Sequence, residues 1–281
     1  MEIYDLFAGY GKCVCEENGE SWDGSATISA KSLQKYSRPK RLWLNCYNDD
    51  PEEMKTQCSS LKECLDAAKI SFQIDFFQEP VLENIDKAIA SCDPQYPSIW
   101  ILDPYSPAQL PWGIVERIAT HQGNYQKGGK PMTRRPELFI NLQTTYLARF
   151  SGIDDSKHIV DEALGLSRET WEKLVAECLA KGMDTQSAFV EIYGNRLNDI
   201  YGKHPIAWKV KGTSGNIVYT ILLITENDAG YYVMQVMGKT EVMDWFVHDW
   251  KPIADVMKAK RSEQRKAGKS NTTATFLTDY E

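Results

Sequence analysis

Two short stretches hold residues whose order suggests chemistry. DLFAGYG, residues 5–11, sets an acid, a short apolar run and two glycines close to the start of the chain. LDPYS, residues 102–106, places an acid, a proline and an aromatic directly after the apolar run SIWIL. A strand that runs into a glycine turn and then a helix brings backbone close to a nucleotide-like ligand. Gly9 and Gly11 allow positive φ and leave out the Cβ atoms that would block that ligand. The pattern is neither the G-x-G-x-x-G of a dinucleotide site nor the GK[ST] of a phosphate-binding loop, so no pyrophosphate site is expected. Asp5, ahead of the glycines, suits a ligand with a cationic end, because a carboxylate accepts hydrogen bonds from an ammonium group. S-adenosylmethionine is such a ligand. By itself the stretch reads equally well as a tight turn.

The second stretch sits where a parallel sheet exposes its functional end. In amino-methylating nucleic-acid enzymes, which this stretch resembles, the acid orients an amino nitrogen and the aromatic stacks on an extruded base or on the cofactor, roles that the resemblance assigns to Asp103 and Tyr105. The competing reading has Asp103 capping the following helix and Tyr105 packing at the edge. Methyl transfer to an amine gains most from alignment and needs no cysteine nucleophile. Cys13 and Cys15 form a C-x-C pair without a second pair or a nearby histidine, and the other cysteines are scattered. No structural metal is expected from that spacing.

Positioning these groups requires a sheet. Residues 2–7, RLWLNCYN (41–48), ISFQI (70–74), SIWIL (98–102) and ELFINL (137–142) read as short strands. Helical patterns over 24–36, 51–68, 80–90 and 107–121 alternate with them, and Pro51 suits a first helical turn. Strict alternation of helices with strands apolar on both faces predicts a doubly wound, mostly parallel α/β sheet covered on each side. Residues 151–202 switch to helical periodicity, read as a helical insertion. IAWKV and IVYTILLIT then form a C-terminal strand hairpin returning to the sheet, followed by a helix from Ala229. The expected organisation is a core over 1–150, the insertion over 151–202, strands and helices completing the core over 203–260, and a polar, flexible tail over 261–281.

DLFAGYG resembles motif I of Rossmann-like S-adenosylmethionine-dependent methyltransferases. With DGSATISA, LDPYS, FINLQTTYLARF and VYTILLITENDAGYYVMQVM, nearly the whole chain resembles the three-Cys-motif partner family, phage and bacterial proteins associated with a radical-SAM-like three-Cys-motif protein. The resemblance implies that Asp5, Phe7, Ala8, Gly9 and Gly11 line the methionine end of the cofactor, and that Ser25 lies by its carboxylate. It implies that the residue ending the second strand, Asn48 where such enzymes have an acid, holds the ribose diol, with Asp49 able to take over. Asp75 would face the adenine, and Asp103, Pro104 and Tyr105 would form an amine-methylating motif with one proline fewer than usual. The implied activity is methyl transfer to a nucleic acid or modified base, in a phage or mobile-element setting. The alternative is a non-catalytic methyltransferase-like partner of the three-Cys-motif protein. A Mg²⁺ nuclease built on Asp103 and Asp75 lacks a matching Glu/Lys signature.

A net charge of -7 argues against binding nucleic acid through the overall field. Basic islands at Lys31–Arg41, at Lys127, Lys130, Arg134 and Arg135, and at Lys258–Lys269 leave a local nucleic-acid face open. No stretch approaches the roughly 20 apolar residues of a membrane span. Without a secretion-signal pattern at its start, the chain is expected to be cytoplasmic.

Overall fold

The computed structural model describes residues 1–14, 20–37, 40–93, 95–127, 129–211 and 217–237. Its centre is built by β1 (Glu2–Asp5), β4 (Arg41–Asn45), β5 (Ile74–Phe77), β6 (Ser98–Leu102), β9 (Glu137–Leu142), β10 (Ile206–Lys211) and β11 (Ile217–Ile224). Among the described residues these form one sheet in the order β10-β11-β9-β6-β1-β4-β5. β1 pairs in parallel with β4 and β6, β4 with β5, and β6 with β9, whereas β11 runs antiparallel to β9 and β10. The chain leaves β1 toward β4 and β5, then crosses to β6 on the other side of β1. The direction of winding therefore reverses between β1 and β6, which is where open α/β sheets form a crevice at their carboxyl ends.

The two faces of the sheet follow from alternation along the strands. Ile3, Leu42 and Leu44 face α1 (Ser25–Gln34) and α2 (Pro51–Ala67), meeting Ala26, Ala30, Leu33, Leu61 and Leu65. Tyr4, Trp43, Trp100, Leu138 and Ile140 face the opposite layer. That layer contains α3 (Val81–Ser91), α4 (Trp112–Thr120), α5 (Thr144–Ser151), α6 (Lys157–Leu164), α7 (Arg168–Ala180) and α8 (Thr185–Tyr201). A row of rings crosses this second face. Tyr4 stacks on Trp100 with centroids 4.2 Å apart, and Trp43 stacks on Phe77 at 4.2 Å. Such pairs add to the burial of large apolar surfaces. Val160, Trp171, Val175, Phe189 and Tyr193 lie in the same core, so the helices of 151–202 cover the sheet as a layer.

Local chemistry sets the element ends. Asp50 caps α2 by accepting from the Glu52 and Glu53 amides, Pro51 supplies the first turn, and Glu52 and Glu53 suit the positive end of the helix. Pro111 lacks the N–H that would continue a helix from Pro107. The stretch expected as one helix over 107–121 therefore divides into a 3₁₀ turn, Pro107–Gln109, and α4.

One further expectation is corrected, and two ribbons are added to the elements expected. The third strand runs over Ile74–Phe77, not 70–74; Lys69 turns the chain at φ +52, and Ile74 is the first residue to find a partner, Leu42 of β4. The polar stretch after the glycines contains a ribbon of β2 (Lys12–Val14) and β3 (Ser21–Asp23). The connection before the fifth strand is a second ribbon, β7 (Gly123–Lys127) with β8 (Lys130–Arg134).

The chain divides into two units, residues 1–224 and 225–281. The dividing point falls inside the stretch expected to complete the core. In the second unit α9 spans Asp228–Met237, its start capped by Asn227, whose Oδ1 accepts from the Ala229 and Gly230 amides. The expected continuation of that helix to Phe246, the third basic island and the polar tail lie outside the described residues. No helix of the described residues is long and apolar enough to cross a membrane.

Candidate functional site at the carboxyl edge of β1 and β6

Asp5 ends β1 and is completely buried. Its Oδ1 accepts from the Phe7 amide at 3.1 Å, and its Oδ2 accepts from the Ser25 hydroxyl at 2.7 Å. Burial raises its carboxyl from the ordinary 3.8 to about 6, the two hydrogen bonds oppose that shift, and the nearby charge of Asp103 adds to it. Ser25 is the first residue of α1, whose N-cap is Gly24 and whose first turn has no side-chain cap. The amides of that turn thus donate to no side-chain cap beside Asp5, and an uncapped helix start favours an anion.

The glycine turn between them has the expected left-handed backbone, with φ +56 at Gly9 and +75 at Gly11. The two glycines serve different ends. A Cβ on Gly9 would have only the Phe7 carbonyl within reach, at 3.9 Å, so this side of the turn is open. A Cβ on Gly11 would lie 2.8 Å from Leu61 Cδ1 and 3.2 Å from Thr27 Oγ1. The absent side chain at Gly11 makes room for α2 rather than for a ligand. Phe7 is half-buried and Ala8 buried, with the Ala8 amide bonded to the Asn45 carbonyl.

Asp103 follows β6 on the adjacent strand. Its Oδ1 accepts from Asn141 Nδ2 of β9 at 2.6 Å, which leaves Oδ2 without a protein donor among the described residues. Gln143 Nε2 donates to the Pro104 carbonyl at 3.1 Å, so two amide side chains from the end of β9 brace the loop. Pro104 is buried, whereas Tyr105 is 82% exposed, its amide tied to Gln109 Oε1 at 2.8 Å. Tyr219 of β11 is half-buried, and its phenol is pushed up first by burial and then by the charges of Asp103 and Cys13. The winding reversal thus brings Asp5, Phe7, Ala8, Gly9, Ser25, Asp103, Pro104 and Tyr105 to one end of the sheet.

The residues expected at the ribose and adenine behave differently. β4 ends at Asn45, three residues before Asn48. Asn48 accepts from the Asp50 amide, Asp49 accepts from the Tyr47 hydroxyl at 2.8 Å, and Asp50 is committed to capping α2. Asp75 lies within β5, not after it, and is drawn to the opposite end of the strands. It pairs with Arg41, the first residue of β4, at 3.1 Å and accepts from Gln73 at 2.7 Å. That separation of Asp75 from Asp103 also removes the geometry a two-carboxylate metal nuclease would need. A hollow of about 290 Å³ lies at the carboxyl end of β5 against α2, lined by Cys58, Lys62, Phe76, Phe77, Gln78 and Glu79.

Four residues absent from the sequence reading contribute here: Asn45, Asn141, Gln143 and Tyr219. Asn45 is buried and donates to the Leu6 and Glu79 carbonyls, at 3.4 and 3.0 Å, tying three strand ends together. A polar residue at the end of an apolar strand, as in RLWLN and FINLQ, was the available signal. No protein-family model matches the chain, and no curated protein matches it.

Proposed function

We propose that this edge binds S-adenosylmethionine and directs its methyl group to an amino nitrogen of a nucleic acid or modified base. One observation carries the reading: a buried acid, Asp5, stands directly beside the uncapped start of α1. An amino-acid head group bears an ammonium and a carboxylate on one carbon. The acid matches the first, and the uncapped amides match the second. The open side of Gly9 leaves room for that head group. The sheet supports the reading as well, since β5-β4-β1-β6-β9 repeat the first five strands of the doubly wound nucleotide-binding order, with a hairpin closing the far side.

When bound, the cofactor supplies an electrophilic methyl group on a sulfonium. Asp103, steadied by Asn141, offers Oδ2 to one N–H of the incoming amine, which aims the nitrogen lone pair and gives the displaced proton an acceptor. Tyr105 offers an exposed ring to the face of a base. Titration calorimetry with S-adenosylmethionine tests the first half: binding to the wild type and at least about tenfold weaker binding to Asp5→Ala are expected, and equal or absent binding overturns it. Mass spectrometry of DNA and RNA incubated with the protein tests the second half, with methylated bases expected from the wild type and none from Asp103→Ala.

A second reading is favoured by one feature. No carboxylate ends β4, because Asn45 stands there with its amide nitrogen committed to two carbonyls. Without a ribose acid, the fold would serve as a non-catalytic partner of a three-Cys-motif protein. Its mark is a stable complex with such a protein in the absence of any methyl transfer.

A further inference from the structure

The twenty residues between Glu116 and Glu137 contain no acid and five cations, Arg117, Lys127, Lys130, Arg134 and Arg135, in a chain whose net charge is -7. Arg117 is neutralised by Asp86 on the neighbouring helix. The other four lie on or directly beside the β7–β8 ribbon, which pairs with no other strand among the described residues. Its register sets Gly123 against Arg134, Tyr125 against Met132 and Lys127 against Lys130. Side chains alternate along a strand, so Tyr125, Lys130, Met132 and Arg134 share one face. The other face carries the neutral Asn124, Gln126, Pro131 and Thr133. On the charged face the Arg134 guanidinium lies over the Tyr125 ring, 4.3 Å from its centroid, and Met132 is exposed. Lys130 is exposed and enters no ion pair among the described residues. Stacking holds the guanidinium in place without neutralising it, so its charge remains available to a polyanion.

We infer that the β7–β8 ribbon is a docking element for duplex DNA. Charge selects a phosphate backbone, and shape selects the kind of duplex. Two strands about 4.8 Å apart with side chains on both faces fit a groove about 12 Å wide, which the major groove of B-DNA provides. The major groove of an RNA helix is too narrow and deep to admit them. Five residues per strand give the ribbon a length of roughly 17 Å, about half a helical turn of DNA. The ribbon is rooted where α4 ends and β9 begins, at the amino edge of the sheet and opposite Asp103. DNA held there is a tether: the ribbon grips the duplex away from the carboxyl edge, and its grip does not depend on cofactor binding.

Fluorescence anisotropy on the full chain, with a labelled duplex of about 20 base pairs, the matching RNA duplex and the single strand, tests this inference. Duplex DNA is expected to bind most tightly, with an affinity that falls steeply as salt rises. Lys130→Glu and Arg134→Gln are each expected to weaken DNA binding at least about fivefold and to lower the salt slope by about 1. Lys130 stands at the exposed tip of the ribbon, so its loss separates charge from any disturbance of the Tyr125 stack. Undiminished DNA binding in Lys130→Glu, equal or tighter binding of the RNA duplex or single strand, or no duplex binding at about 50 mM salt would each overturn the inference. Calorimetry with S-adenosylmethionine on Lys130→Glu should match the wild type, which keeps failure here distinct from failure of the cofactor reading.

Discussion

At the carboxyl end of the sheet an acid is completely buried, held by Ser25 and the Phe7 amide, with its carboxyl raised to about 6. At the amino end, Lys130 rides exposed on a two-stranded ribbon, where a charge costs almost nothing to solvate. Both ends present charge, but only the first does so at the expense of the fold. A group whose ionisation opposes folding persists where a ligand relieves it, which is why perturbed acids gather at functional sites. The amino end gathers charge without strain, as a surface that touches a partner reversibly can do.

Asp5→Asn bears on this contrast with the largest expected effect. The folded protein holds the Asp5 proton more tightly than the unfolded chain, so this residue's contribution to stability declines as pH rises from about 4 to about 6 and is level above. The decline amounts to roughly 3 kcal/mol for a shift of this size. Urea unfolding at pH 4 and pH 7 should show the variant gaining on the wild type by up to that amount, while its cofactor affinity is lost. In the wild type the affinity should fall about tenfold per pH unit below 6, as the carboxylate is protonated. Parallel pH profiles in wild type and variant would show that Asp5 has no part in either effect.

Next in size is the glycine pair. Gly11→Ala combines a left-handed backbone with a Cβ 2.8 Å from Leu61 and should cost on the order of 2–3 kcal/mol; Gly9→Ala, which meets open space, should cost about 1 kcal/mol. Thermal unfolding of the two variants compares them directly. Asp103→Asn should leave stability nearly unchanged and move the Asp5 titration downward, since it removes the neighbouring negative charge, a change visible by NMR of the Asp5 carboxyl carbon. Smallest is Lys130→Glu at the amino end, where unfolding free energy should change by no more than about 0.5 kcal/mol.

Much of this architecture was legible in the residue order. Alternation of short apolar runs with helical periods located β1, β4, β6 and β9 and the helices between them, because buried strands and amphipathic helices leave distinct periods. The final hairpin was readable for the same reason. The shift at β5 was not, since Ile70, Phe72 and Ile74 alternate as a strand would, but Ile70 and Phe72 pack ahead of the strand and only Ile74 pairs within it. The basic island at Lys127, Lys130, Arg134 and Arg135 gave no strand signal, because its cations and glycines hide a ribbon whose pairing is satisfied internally. At the candidate site, DLFAGYG and LDPYS lie at the same edge of the sheet, because the winding reversal sets β1 beside β6. The position ending β4 was misjudged by three residues, and Asp75 was placed at the wrong end of its strand. Both errors concern where a strand stops, which depends on partners across the sheet rather than on local sequence. Asn141 and Gln143 act only through Asp103 and Pro104, 38 and 39 residues earlier, a relation that one-dimensional patterns do not contain.

Leu61 lies on α2, against the back of the glycine turn, and it is this side chain that excludes a methyl group at Gly11. The curvature offered to a ligand is thus moulded from behind, by a helix on the far side of the bend. Substitutions along α2 would retune the entrance without altering any atom that a guest meets, so the specificity of this edge has a control surface remote from its mouth.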